Sequence, residues 1–285
     1  MAELIGFIFI FFFGAIVGSF LNVVIYRYQT GNSIIFFGSR CLSCGKNLSW
    51  YELIPIFSFF LQRGRCRECK SRISIQYPIV EATTGIVFSL VAYKIFPFFR
   101  DGVLSSADDF QFLHHFLLFL FHLLFFSLLI IISAYDFRHQ IIPAAFVYPL
   151  IILSFLSIFL DFGYWNFLEN WGLKSDSANR FLAGPVLGAF FGALWLVSKG
   201  KWMGLGDAKL ALSIGWYLGL AKGLLAVVFS FWLGGLIALF LLIFFPKNFT
   251  LKSKVPFAPF LALATFLAFY FGKEILQIYF LLWSI

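Results

Sequence analysis

The chain has 285 residues, 61% hydrophobic and 12% charged, with 43 Phe and a formal net charge of +8, a balance that excludes an ordinary soluble domain. The positive charge does not indicate nucleic acid, because the basic residues are scattered and no reader motif accompanies them. Apolar runs close to the roughly 20 residues a helix needs to cross hydrocarbon recur along nearly the whole chain, predicting an all-α integral membrane protein set in the lipid bilayer.

The opening "MAELIGFIFIFFFGAIVGSFLNVVIY" has neither a basic leader region nor a small-residue cleavage site, so it reads as a retained first span. Further spans are predicted at 78–99, 113–135, 141–160, 180–198, 208–221, 223–245 and 256–272, which with 4–26 makes eight crossings. Between the first two, Arg27 to Tyr77 holds Arg27, Arg40, Lys46, Arg63, Arg65, Arg67, Lys70 and Arg72 against only Glu52 and Glu68. The positive-inside rule makes that segment cytoplasmic and the N-terminus periplasmic. The remaining loops agree in sign. Asp101, Asp108, Asp109, Asp161, Glu169 and Asp176 fall outside, and Arg138, Lys199, Lys201, Lys247, Lys252 and Lys254 fall inside. The sixth span is short enough to be tilted or re-entrant. The tail "KEILQIYFLLWSI" is too short to cross again and is expected at the outer interface. The expected organisation is a first transmembrane helix at 1–26, a cytoplasmic four-cysteine loop domain at 27–77 and a polytopic domain at 78–285.

"CLSC" and "CREC" provide Cys41, Cys44, Cys66 and Cys69, two C-x2-C pairs with 21 residues between them. Each pair can offer two thiolates to adjacent corners of a tetrahedron, so four together predict a closed, structural zinc site. Disulfides are the competing reading, and a reducing cytoplasmic setting disfavours them. Glu81, in "YPIVEATTG", and Asn22, in "GSFLNVVIYR", are polar groups in or beside spans. Glu81 is a candidate to receive a cationic substrate group or to pair with a loop arginine. His114, His115 and His122 lie near the outer end of the third span, where no metal role is expected.

Asp136, in "SAYDFRHQIIP", closes the third predicted span, and Asp207, in "MGLGDAKL", precedes the sixth. Two crossings separate them, which returns both to the cytoplasmic edge of the bilayer although they are 71 positions apart. Two carboxylates held close share a proton, so that one activates water while the other polarises a carbonyl. Taken singly, Asp207 also suits an N-cap, and Asp136 suits an interfacial charge beside Arg138. Gly204 and Gly206 would let the backbone bend and approach a bound peptide.

In combination, "GSFLNVVIYR", the cysteine segment, "DFRHQIIP", "GLGDAKL" and "PFAPFLALA" resemble, in order and over nearly the whole chain, the prepilin peptidases of the type IV leader peptidase family. The resemblance implies that Asp136 and Asp207 are the catalytic pair. Gly204, Gly206 and Lys209 would support the G-x-G-D motif. Substrates would be type IV prepilins or type II secretion pseudopilins, cut at the cytoplasmic face of a bacterial inner membrane between a basic leader and an apolar helix. It further implies methylation of the new N-terminus from S-adenosylmethionine, an activity tied to the cysteine loop; no G-x-G-x-x-G follows a strand, so no cofactor residues are identified. The chain has Ala144 after Ile142-Pro143, where many relatives have Asp, and Ala258 where many have glycine. Presenilin-like proteases share the G-x-G-D idea but do not predict the cysteine loop. A non-enzymatic assembly factor with a zinc loop and an aspartate-dependent transporter are the competing classes. Oligomeric state is not legible in the sequence.

Overall fold

The structure is a computed structural model that describes residues 2–31, 33–34, 38–96, 109–159, 175–247, 249–250 and 253–283. Asp101, Asp108, Asp161, Glu169 and Lys252, used above to orient the loops, lie outside those residues. Regular structure among the described residues is helical: α1 (Ala2–Arg27), a 3-10 turn (Trp50–Glu52), α2 (Phe57–Leu61), α3 (Gln76–Ile95), α4 (Asp109–His139), α5 (Ala144–Phe159), α6 (Ser175–Ser198), α7 (Leu205–Leu218), α8 (Leu220–Phe244) and α9 (Ala258–Trp283). Six of them, α1, α3, α4, α6, α8 and α9, are long and apolar enough to cross a membrane. Many of their Phe, Leu and Ile side chains are exposed, as a lipid-facing surface requires.

Each predicted span falls largely on one helix, but several boundaries differ. The sixth was expected at 208–221, whereas α7 runs Leu205–Leu218 and stops at Gly219, whose φ of 77° ends one helix and starts the next. Asp207 is thereby inside a helix rather than ahead of it. Likewise α4 continues to His139, so Asp136 lies in its last turn. The C-terminal tail is helical and continuous with the last span, α9 running through it to Trp283. At 16 and 14 residues, α5 and α7 are about 24 and 21 Å long, against a hydrocarbon core of about 30 Å.

The chain divides into two compact units, Met1–Ala134 and Tyr135–Ile285. In the first, α1 and α3 pack with their backbones almost touching. A Cβ on Gly18 would lie 2.8 Å from the Glu81 Cα, and one on Gly85 would lie 2.8 Å from the Phe11 carbonyl oxygen. Small residues at such contacts let membrane helices gain dispersion energy where lipid offers no hydrophobic drive. Asn22 closes the loop end of this pair, its Nδ2 donating to the Gly18 and Tyr77 carbonyls at 3.3 and 3.2 Å. In the second unit α6 and α7 meet in the same way, a Cβ on Gly215 falling 2.5 Å from the Ala183 carbonyl oxygen. Leu187, Phe191, Ala208, Ala211 and Val227 form a core cluster beside this contact.

Candidate active site and metal centre

Both aspartates belong to the second unit, and both are buried, Asp136 at 5% and Asp207 at 7% exposure. They are close enough for the charge of Asp136 to act on Asp207. Each is held through one oxygen by a backbone N–H. Ala258, the first residue of α9, donates to Asp136 Oδ2 at 3.2 Å, and Gly204 donates to Asp207 Oδ2 at 3.1 Å. Gly204 is the N-cap of α7 and Asp207 its N3 residue. Asp207 therefore caps the helix from within the first turn, not from the N-cap position that its place before an apolar run suggests. Helix N-termini favour negative charge, so α7 and α9 each present their positive end to one carboxylate. Ala258 is the one hydrogen-bond donor to the Asp136 carboxylate among the described residues, which leaves its other oxygen for water or substrate, whereas Asp207 also draws on its own backbone N–H.

The two motif glycines differ in what they do. Gly204 has φ −80° and ψ 152°, backbone open to any residue, and a Cβ there would meet nothing closer than 3.5 Å. A Cβ on Gly206 would lie 2.7 Å from the Cβ of Ile142. The contact is built by the end of α4: the Gln140 N–H donates to the Asp136 carbonyl at 2.7 Å with Gln140 at φ 54°, and this left-handed residue turns the chain so that Ile142 reaches α7. Gly206 is thus a packing requirement that sets one motif against the other, and the bending freedom expected of the pair is not what is used. Gly206→Ala is expected to lower activity about a hundredfold by displacing the acids, and Gly204→Ala to be tolerated. Adding Ile142→Ala to Gly206→Ala should restore much of the loss; an unimproved double variant would refute the steric account. Lys209 points elsewhere, donating to the Tyr148 hydroxyl at 3.0 Å and lying 4.8 Å from that ring's centre.

In the first unit the four cysteine sulfurs lie within 4.8 Å of one another. A tetrahedral ion with metal–sulfur bonds of about 2.3 Å would set sulfurs about 3.8 Å apart, and the Cys41 to Cys69 distance is 3.8 Å. The donor set fits a divalent ion. Two similar knuckles create it. Gly45 N–H donates to the Cys41 carbonyl at 2.9 Å, and Lys70 N–H to the Cys66 carbonyl at 3.1 Å, with Gly45 and Lys70 both left-handed. Backbone N–H groups, of Cys44 first and then Ser43, hold the Cys41 thiol down to about 6. The Ser71 hydroxyl lowers Cys69. The Lys46 N–H draws the exposed Cys44 thiol down, but partial desolvation and the crowded sulfurs of Cys41 and Cys69 outweigh it and push it up to about 11. Thiolates crowded in this way share protons until a cation replaces them. Glu52 ties the knuckles together from beneath, 3.8 Å from Lys46 of the first and 4.0 Å from Arg67 of the second. Sequence reading passed over it, although Ser49-x-x-Glu52 is a capping-box spacing and Glu52 accepts the Ser49 N–H at 3.0 Å.

Residues 12–95 match the family model described as the bacterial peptidase A24 N-terminal domain, and residues 123–239 match that of the type IV leader peptidase family. The chain belongs to the type IV leader peptidase family. A prepilin leader peptidase/N-methyltransferase of Pseudomonas putida is 29% identical over 291 residues, 92% of this chain and 89% of that protein. One from Bacillus subtilis (strain 168) is 29% identical over 270 residues, 95% and 96% of the two chains. Over a shorter stretch of 81 residues, 28% of this chain and 24% of the other, a protein of the same name from Myxococcus xanthus is 51% identical. No solved structure matches the chain. The type IV leader peptidase match contains Asp136 and Asp207, and the N-terminal match contains the four cysteines and Glu81.

Among the other family positions, Ala258 keeps its backbone N–H on Asp136 whatever its side chain, so the alanine costs no hydrogen bond there. Glu81 is committed within the first unit: its Oε2 accepts the Ile56 N–H at 2.7 Å, with the Ser19 hydroxyl alongside. His114 and His115 meet edge to face, and neither joins a metal-ligand cluster among the described residues.

Proposed function

We propose that the protein is a prepilin peptidase that removes the basic leader from type IV prepilins or pseudopilins and methylates the amino group so exposed. The observation that carries this reading is the pair of buried carboxylates, Asp136 from the last turn of α4 and Asp207 from the first turn of α7, within electrostatic reach of each other. Buried like charges at short range hold one proton between them. The ionised acid takes a proton from water, which attacks the scissile carbonyl, while the protonated acid gives its proton to the carbonyl oxygen; as the resulting gem-diol collapses, the first acid passes the proton it took from water to the leaving nitrogen and the second recovers one from a diol hydroxyl. Gly206 and Ile142 set the spacing of the acids, and the N–H groups of Ala258 and Gly204 fix their orientation.

In this reading the chain crosses a bacterial inner membrane eight times with the N-terminus outside. The acids and the cysteine loop then face the cytoplasm, where a pilin helix can remain in the bilayer while its leader emerges. The three-part division at residues 26 and 77 is functional: the loop between them holds structural zinc, since a four-thiolate set leaves no open coordination position for chemistry. S-adenosylmethionine supplies the methyl group. Co-expression with a prepilin, followed by mass spectrometry of the product, tests the reading: leader removal and one added methyl on the new N-terminus are expected. A full-length, unmodified prepilin would refute it.

A further inference from the structure

Between the two cysteine pairs the chain leaves the loop and runs down the side of the α1–α3 pair. The Phe57 N–H donates to the Pro55 carbonyl at 2.6 Å around Ile56, whose φ of 65° and ψ of −57° make a strained γ-turn at a β-branched residue. Glu81, on α3, holds that turn through the Ile56 N–H. The ring of Phe57 stacks on Phe12 of α1 with centroids 6.0 Å apart. Phe12 is 15 residues from Arg27, about 22 Å down the helix axis from its loop end. Phe57, Phe60 and Leu61 are 51%, 68% and 73% exposed, so the short helix α2 offers a bare apolar face alongside α1, a helix long and apolar enough to cross a membrane.

That face gives way abruptly to charge. Gly64 and Arg63 donate to the Phe59 and Phe60 carbonyls at 2.9 and 3.0 Å, with Arg63 at φ 52°. This Schellman closure stops α2 and reverses the chain. Immediately beyond is a cleft of about 330 Å³ lined by Leu61, Gln62, Arg63, Arg65, Arg67 and Lys70, together with Cys66 and no carboxylate. Among the described residues Arg63, Arg65 and Lys70 make no ion pair; Arg67 lies over the Tyr51 ring and 4.0 Å from Glu52. The volume is at the small end of the range for ligand sites, about 300–1,000 Å³.

We propose that this cleft binds the phosphate headgroup of an anionic phospholipid whose acyl chains lie along α2. The arginine forks and Lys70 take the phosphate oxygens, Gln62 suits a headgroup hydroxyl, and Leu61 joins the cleft to the apolar face. Free phosphate would use the cations and leave the apolar face bare; a lipid satisfies both. The basic leader expected of a prepilin is repelled here, which separates this site from the peptide path.

Native mass spectrometry of the full-length, metal-loaded protein in detergent tests the proposal, with phosphatidylglycerol, phosphatidylcholine, inorganic phosphate and a polyglutamate peptide as probes. Phosphatidylglycerol should be retained in preference to phosphatidylcholine. Each basic side chain is worth about a factor of five at an anionic headgroup, so Arg63→Gln/Arg65→Gln/Lys70→Gln should weaken retention about a hundredfold. Lys199→Gln/Lys201→Gln/Lys254→Gln, which removes equal charge elsewhere, should not. Arg63→Gln and Lys70→Gln alone, at exposed positions where folding is safe, should each weaken it about fivefold. Equal retention of the two lipids, undiminished phosphatidylglycerol binding in the triple variant, or equal effect of the two triple variants would overturn the proposal. So would phosphate or the peptide competing the lipid off at equal concentration.

Discussion

Asp136→Asn and Asp207→Asn are each expected to slow leader removal by about 10²- to 10⁴-fold, the range for loss of a positioned acid or base. Asparagine keeps an oxygen for the Ala258 or Gly204 N–H that each aspartate now accepts, so the fold and the helix caps should survive. What disappears is the shared proton. On the proposed mechanism the two acids act as one unit, so the double variant should be little worse than either single one. Leader removal measured on a co-expressed prepilin, beside a thermal melt of each variant, separates chemistry from stability. Persistent cleavage in both single variants would remove the dyad from the mechanism.

Cys66→Ser is expected to cost the protein its metal and, with it, the fold of the cysteine loop. Cys66 is the one buried thiol of the four, at 3% exposure. The knuckles it joins are held otherwise by short backbone turns and the Glu52 ion pairs. Structural zinc supplies about 10–16 kcal/mol of apparent binding energy to small sites of this kind, far more than such contacts replace. Zinc content should fall to background, the loop should become sensitive to limited proteolysis, and methylation of the cleaved product should be lost. Leader removal should continue, since both aspartates lie in the other unit. A variant that has lost zinc and still methylates would break the link between the loop and methyl transfer.

The helical membrane architecture was legible because it depends on local quantities: apolar runs and loop charge need no partner elsewhere in the chain. The cysteine cluster was legible for a similar reason, since C-x2-C already describes a knuckle. Long-range steric and hydrogen-bonding facts were not. That Gly206 faces Ile142, or that Ala258 donates to an aspartate 122 residues away, has no local signature. The start of α7 was misplaced by three residues because "GLGD" reads as a loop; Asp207 reaching back to Gly204 makes it the first turn of a helix, and Gly219 ends that helix early. Glu81 stood out as a carboxylate in or beside a span, a candidate for a cationic substrate group or a loop arginine, but the partner observed is the backbone of a strained turn at Ile56, a conformation that residue type argues against.

The boundary between Ala134 and Tyr135 bears on how the gene can be divided. Asp136, Gly206, Asp207 and Ala258 all follow it, as do the Ala258 and Gly204 N–H bonds to the two acids and the Gly206–Ile142 contact. On the proposed mechanism hydrolysis is self-contained there, and methyl transfer is an appended capacity. A shortened gene encoding the whole of α4 and everything after it would retain the parts needed to cut a prepilin, and the cysteine module could be lost, exchanged or carried on another polypeptide without disturbing the water-activating pair.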